Sequence, residues 1–432
     1  MLLGSAYDKI GNHQKALEAY QQSLAILRQI EISKLSPFQQ KMAGIYEVFI
    51  LQGISFTYRD LGEYNKALDL AQQTLKKAQS INQPESEIQA LLHLADLYDN
   101  PFDNLSKAIE LSQEALSIAK QIKKPEKEAE ALLKLSGLYN KQRNYSDALE
   151  YAQQVLTIAK KLNNSNLEYD ALSMFTDIYQ EQGKYQKALE FAQQAYAVTE
   201  KENLGSYKHL ALTYLSSIYY FAGDTVKAEE TAKKIIKLAQ ENGYFNNELL
   251  GFLYLTRVYM VQGKYEQGIE TGQKVLQKSR QSKYFLTEVS ASLFLSDIYE
   301  RLGNYQKVIA LAQPYLTRAR KINQRDKEAE NLTILGNAYR VVGEYSKAKD
   351  SIEQGLKIAR ELKSPQLESN ALNNLGYYYF SLKDYQKALE LTQQSLKIAQ
   401  KLKSPPLLIS PQFNLGDIYS SLGDYQKSRD YY

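Results

Sequence analysis

Apolar and polar positions along this chain follow a helical period. In the stretch Ala371–Leu402, Leu372, Leu375, Gly376 and Tyr379 fall at i, i+3, i+4 and i+7, which places them on one face of a helix. Lys383-Asp384 interrupt the pattern. It resumes from Tyr385 with Ala388, Leu389, Thr392, Leu396 and Ala399 on a second apolar stripe. Two amphipathic helices separated by a short break predict an antiparallel hairpin. Most equivalent breaks carry a glycine (Gly183, Gly223, Gly303, Gly343), the residue suited to a left-handed helix C-terminus. Alternating valine-rich runs are absent and Ala, Leu, Lys, Gln and Glu dominate, so strands are not expected.

The hairpin recurs. The phrase G-x-Y-x-K-A sets a register whose last residue is Ala16, Ala67, Ala108, Ala148, Ala188, Ala228, Gly268, Val308, Ala348, Ala388 and Ser428. The first two spacings are 51 and 41 residues, and every later one is 40. A fixed period of this size predicts an all-α solenoid of antiparallel hairpins, a single domain over 1–432 of about eleven repeats. A tyrosine sits nine residues before each anchor (Tyr7, Tyr58, Tyr139 and so on to Tyr419). Tyr98 has one residue more, taken up by an insertion around Pro101-Phe102. A second tyrosine precedes eight of the anchors by three residues, so these two slots hold 19 of the 35 tyrosines. The tyrosine content is therefore architecture. A small anchor implies closely approaching helices, and a large tyrosine implies a gap to fill towards the next hairpin.

These residues resemble the tetratricopeptide repeat family, whose pattern of Leu, Leu-Gly, Tyr and Ala matches Leu372, Leu375-Gly376, Tyr379 and Ala388. The aromatic that the family places four residues after the Ala is small here (Ala71, Ala152, Ala192, Ala232, Ala312, Thr392). The period is 40 instead of the usual 34. Prolines 17 residues after the anchor (Pro84, Pro125, Pro365, Pro405) put most of the extra length in the second helix. HEAT-type repeats share the period, but they do not explain the two tyrosine motifs. The long, Q-Q-rich unit also resembles arrays associated with bacterial CHAT proteases, peptide-sensing regulators and kinesin light chains. The resemblance implies a right-handed superhelix whose first helices line a concave groove for a protein or peptide.

By that resemblance the groove slots lie two before and one after each recurring tyrosine, with others one turn earlier. Two stretches stand out. Tyr220, Phe221, Leu253, Arg257 and Met260 form one; Asn373, Tyr377, Phe380 and Phe413 form the other. Asp297 and Arg340 occupy slots between them. Aromatics and arginine dominate interface energies, and the acids Asp177, Glu181, Asp297 and Glu300 would favour a partner carrying Lys or Arg. The recurring acids Asp96, Asp177, Asp297 and Asp417 otherwise read as a solvated row. The slots that would clamp a chaperone's C-terminal carboxylate lack lysine.

Composition narrows the rest. With 53 Lys+Arg against 49 Asp+Glu, and the cations scattered, no nucleic-acid groove is expected. There is no cysteine, and the three histidines (His13, His93, His209) are not spaced as metal ligands. No catalytic motif appears, so neither catalysis nor a cofactor is expected. Neither a membrane span nor a signal peptide is read, so a cytoplasmic protein is the expectation. Both end repeats are incomplete and uncapped. This points to the sensor or adaptor region of a larger bacterial protein, or to the regulatory arm of a CHAT-type protease, and to self-association through the open ends. Pro314, inside a second helix, is expected to bend it. Ser36-Pro37 marks an offset of the first repeat.

Overall fold

The computed structural model describes residues 2–9, 13–100, 102, 104–282, 285–321, 324–402 and 405–432. Pro101 of the expected insertion lies outside them. Among the described residues are twenty-two α-helices, one 3-10 turn (Ile32–Lys34) and no strand. They form two compact units, Met1–Asp224 and Thr225–Tyr432. The first has five hairpins, Leu2–Lys9 with His13–Gln29, Pro37–Asp60 with Tyr64–Ser80, Pro84–Asp99 with Leu105–Gln121, Pro125–Lys141 with Tyr145–Leu162, and Ser165–Glu181 with Tyr185–Lys201, followed by helix Gly205–Phe221. The second opens with helix Thr225–Asn242. Its hairpins are Phe245–Val261 with Tyr265–Ser282, Phe285–Arg301 with Tyr305–Lys321, Arg325–Val341 with Tyr345–Glu361, Pro365–Ser381 with Tyr385–Lys401, and Pro405–Ser421 with Tyr425–Tyr431. Each unit is thus an α-solenoid of antiparallel hairpins.

Local chemistry explains the boundaries. The recurring prolines 84, 125, 365 and 405 each open a first helix, where the missing N–H costs nothing. Ser36 caps the long helix Pro37–Asp60 in a reciprocal box with Gln39, and the 24 residues of that helix absorb most of the irregular first spacing. Between the helices of a hairpin the chain turns through the left-handed region, at Gly183 (φ 70°), Gly303 (φ 68°) and Gly343 (φ 82°), but also at Arg143 (φ 61°) and Lys383 (φ 64°). The helix Tyr305–Lys321 continues through Pro314.

The hairpin is held where its helices cross. The anchors Ala67, Ala148, Ala348 and Ala388 are fully buried. Opposite them, three residues before the recurring tyrosine, lies a second small slot. There Ser55 Oγ donates to the Ala67 carbonyl at 2.6 Å, and Ser136 Oγ to that of Ala148 at 2.7 Å. Where the slot is glycine there is no room for a side chain. A Cβ on Gly336 would lie 2.3 Å from Ile352 Cγ1 and 3.1 Å from the Ala348 carbonyl, and one on Gly376 would lie 2.4 Å from Thr392 Oγ1.

The residue four after the anchor faces this slot, and the two compensate in volume. Glycine pairs with a larger side chain, as in Gly4/Tyr20, Gly336/Ile352, Gly376/Thr392 and Gly416/Tyr432. Serine and threonine pair with alanine or glycine, as in Ser136/Ala152, Thr176/Ala192 and Thr256/Gly272. The small residues at that position are thus half of a complementary pair.

Three further contacts repeat. The lysine before the anchor lies over the recurring tyrosine ring, as Lys66 over Tyr58 (5.2 Å), Lys307 over Tyr299 (4.8 Å) and Lys387 over Tyr379 (5.1 Å). The tyrosine hydroxyl accepts from a glutamine on the preceding hairpin's second helix: Gln193 to Tyr219 at 3.2 Å, and Gln313 to Tyr339 at 2.7 Å. The tyrosine was expected to reach towards the next hairpin; its hydroxyl instead meets the hairpin before it. Finally, buried glutamates join hairpins in the second unit. Glu248 accepts from Gln240 (2.9 Å) and Lys278 (2.8 Å), Glu288 from Arg280 (2.9 Å) and Arg318, and Glu328 from Arg320 (2.8 Å) and Arg325 (2.6 Å).

Two predictions follow from this geometry. Gly336→Ser destabilises the protein by about 1–3 kcal/mol in urea unfolding, and adding Ile352→Ala recovers most of that loss; additive losses would refute volume compensation. Lys383→Gly relieves a left-handed turn and raises stability by about 1 kcal/mol, read from the same curves.

Candidate functional site

The first helices carry one face turned away from the crossing. Relative to the recurring tyrosine its positions are −9, −5, −2 and +1. Contacts between successive hairpins define it. Lys134 (−5) meets Asp96 (−2) at 2.6 Å and Asp99 (+1) at 3.2 Å on the hairpin before it. The hydroxyl of Tyr214 (−5) donates to Asp177 (−2) at 3.2 Å. The −5 slot was missed by the sequence reading, although its step of three from −2 was available as a signal. In the second unit it holds Tyr254, Phe294, Ile334, Asn374 and Asn414.

The structure separates the candidate residues. In the first unit Tyr220 is half-buried and meets Phe221 edge-on (centroids 5.5 Å), while Phe221 stacks on Tyr185 at 5.8 Å. In the second unit Leu253 and Met260 are each only 7% exposed and Leu253 belongs to the core, so neither offers a docking surface. Their helix Phe245–Val261 is buried on both sides, because its −6 and +1 positions turn towards neighbouring helices. Arg257 stays half-buried. Asp297 is paired with Arg301 at 3.3 Å. Asn373 is buried and accepts a hydrogen bond from Asn414 (2.8 Å), while Phe413 is 54% exposed.

Arg340, Tyr377 and Phe380 come together. The Arg340 guanidinium lies 4.6 Å over the Tyr377 ring, donating to Ser381 Oγ (3.0 Å) and Asn337 Oδ1 (2.8 Å). Tyr377 and Phe380 stack at 5.3 Å. Burial lowers the Arg340 pKa, and burial together with the Asp297 charge raises that of Glu300 on the preceding hairpin. Beside them is a cavity of about 290 Å³ lined by Glu300, Asn337, Asn370 and Asn374 among others. All three cluster residues are half-buried, held in place yet open to a ligand.

The recurring acids, expected as a solvated row, are partly exposed and each has a partner. Asp96 pairs with Lys134, Asp297 with Arg301, and Asp417 accepts from the Tyr432 hydroxyl at 2.5 Å. Asp99 is held below the usual carboxylate range: burial opposes the shift, and hydrogen bonds from Lys141 and Lys134 overcome it. Asp177 is different. Burial pushes its carboxyl up to about 6, reinforced by the Glu181 charge and eased by Tyr214.

The histidines are scattered. His13 Nδ1 faces Asp8 at 3.4 Å. His93 is buried with Nε2 2.8 Å from Ser55 Oγ; since that hydroxyl is donated to Ala67, the imidazole nitrogen carries the hydrogen. Burial lowers the His93 pKa to about 4. Among the described residues no group of three potential metal ligands converges, and no helix is long and apolar enough to cross a membrane.

Models of the tetratricopeptide repeat match residues 1–32, 50–86, 87–161, 127–201 and 367–432, together more than half of the chain. No curated protein matches it. Solved structures share the fold at low identity. Aspartyl phosphate phosphatase F from Bacillus subtilis aligns with a TM-score of 0.55 at 15% identity, over 80% of this chain and 91% of that one. A signal transduction ATPase with numerous domains and a tetratricopeptide repeat sensor, from Pyrococcus horikoshii, aligns with a TM-score of 0.53 at 16% identity, over 84% of this chain and 55% of that one. A Rap protein complexed with competence and sporulation factor gives 0.51 at 17% identity, over 80% and 95%.

The buried carboxylate makes a pH-dependent prediction. With its pKa raised in the fold, Asp177 keeps its proton to higher pH in the native state than in the unfolded chain, so its contribution to stability falls as pH rises from about 4 to 6. Asp177→Asn should therefore stabilise the protein by about 1–2 kcal/mol at pH 7.5 and by little at pH 4. Urea unfolding at both pH values checks this; an equal effect at both would refute it.

Proposed function

We propose that this chain, which belongs to the tetratricopeptide repeat family, works as a protein- or peptide-binding scaffold through the open face of its first helices. The observation that carries this reading is the Arg340–Tyr377–Phe380 cluster. An arginine laid flat on a tyrosine, with its donors directed by Ser381 and Asn337, has little rotamer freedom left to lose on binding. Aromatic and arginine side chains so fixed are the kind that anchor interfaces. The adjoining cavity supplies asparagine amides that can pair with a peptide backbone.

The chain acts by binding, and serves as a sensor or adaptor. The Pyrococcus protein, whose repeats are described as a sensor, supports this reading through its shared architecture. The ligand is a peptide or protein segment long enough to span successive hairpins.

Affinity capture from extract of the source cells tests the assignment. The wild-type chain should retain a partner that Tyr377→Ala/Phe380→Ala loses at least tenfold, equivalent to about 1.4 kcal/mol. Val226→Ala, an exposed position elsewhere in the second unit, should retain it fully. Equal recovery by all three proteins would remove the cluster from the binding face.

A further inference from the structure

We propose that the cavity between the hairpins Pro125–Leu162 and Ser165–Lys201 receives an arginine or lysine side chain of a peptide partner, with Asp177 as its counter-ion. This rests on the reading of the first-helix face as a docking surface. The cavity has a volume of about 460 Å³, and Gly137, Asn140, Met174, Asp177, Gln180 and Glu181 line it. It lies in the first unit, apart in sequence from the Arg340 cluster.

The charge balance of this face singles the cavity out. One hairpin earlier, Asp96 and Asp99 are already satisfied by Lys134 and Lys141, at 2.6 and 2.7 Å. Asp177 has the Tyr214 hydroxyl and, among the described residues, no cation in ion-pairing distance. Lys141 and Arg143 also border the cavity, but Lys141 is turned to Asp99. The charge that acts on Asp177 is that of Glu181, another anion. Asp170, seven residues back on the same helix, is likewise raised by burial alone.

A second observation is independent of charge. Asn140 Oδ1 is buried without a hydrogen-bond donor, and it belongs to the wall of the same cavity. A carboxylate without a paired cation, with the amides of Asn140 and Gln180 around the same space, suits a group with several N–H donors and a positive charge. Guanidinium and ammonium side chains have both. Met174 offers an apolar wall for the methylene stem. Gly137 leaves the entrance open: a Cβ there would meet only Met174 Cε, at 3.8 Å. The whole chain carries a net charge of +4, so attraction of a cationic peptide must be local.

Fluorescence anisotropy with two labelled nonapeptides, one of alternating Arg and Gly and one with citrulline replacing each Arg, tests the site. Citrulline keeps the shape and removes the charge. The Arg peptide should bind the wild-type chain at least tenfold more tightly than the citrulline peptide. Asp177→Asn should abolish that preference, and Gly137→Leu, whose Cβ has room and whose side chain occupies the cavity wall, should weaken the Arg peptide as much. Circular dichroism establishes that both variants are folded.

Equal binding of the Arg peptide to wild type and Asp177→Asn would overturn the proposal. So would the absence of any charge preference in the wild type. Displacement by spermidine alone at matched concentration would make this a small-cation site and also overturn it. Capture of a partner through Tyr377 and Phe380 is scored separately, so either reading can fail while the other stands.

Discussion

Everything in this fold depends on how closely two helix backbones pass at one point in each hairpin. The anchor alanine and the small residue before the tyrosine set that distance. At Ser55 and Ser136 the approach is close enough for a hydroxyl to bond the opposing carbonyl. At Gly336 and Gly376 even a methyl group would be too large. Side chains in a close-packed interior must fill the remaining volume once, and only once. A larger residue on one helix is therefore matched by a smaller one on the other. This constraint lets hairpins of different sequence cross at the same point of the repeat.

Stacking then uses a few contacts many times. Lysine over tyrosine fixes the ring within a hairpin, glutamine to the tyrosine hydroxyl ties that ring to the hairpin before it, and in the second unit buried glutamates gather cations from neighbouring helices. Each contact is weak alone. Repeated at the 40-residue period, they explain why a lysine, a glutamine and a tyrosine recur at fixed positions. These residues serve the scaffold, and the open first-helix face is left for chemistry that varies from one hairpin to the next.

That face shows where reading a repeat by slots succeeds and where it stops. Tyr377 and Phe380 were grouped from their register and stack, and Arg340, read only as a slot between the two stretches, lies on the Tyr377 ring. Met260 occupies the same register position as Arg340 and Phe380 and is a core residue, as is Leu253 at −6. The difference lies in the neighbours, whose side chains decide how much of each slot stays open. The acids behave in the same way. Asp99 and Asp177 are both first-helix carboxylates, yet lysines lower the pKa of one while burial raises that of the other. Lys134 and Tyr214, at the overlooked −5 slot, make that difference.

The period, the helical character, the hairpin breaks and the two tyrosine positions were decided by the amino-acid sequence alone. Each follows from side-chain spacing along a single helix or from the backbone preferences of proline and glycine, which are local. Tertiary structure decided which small residue faces which large one, where the tyrosine hydroxyl points, and which acids keep a free valence. Those outcomes depend on atoms twelve to forty residues away that share one volume or one electrostatic environment, and residue spacing alone does not encode them.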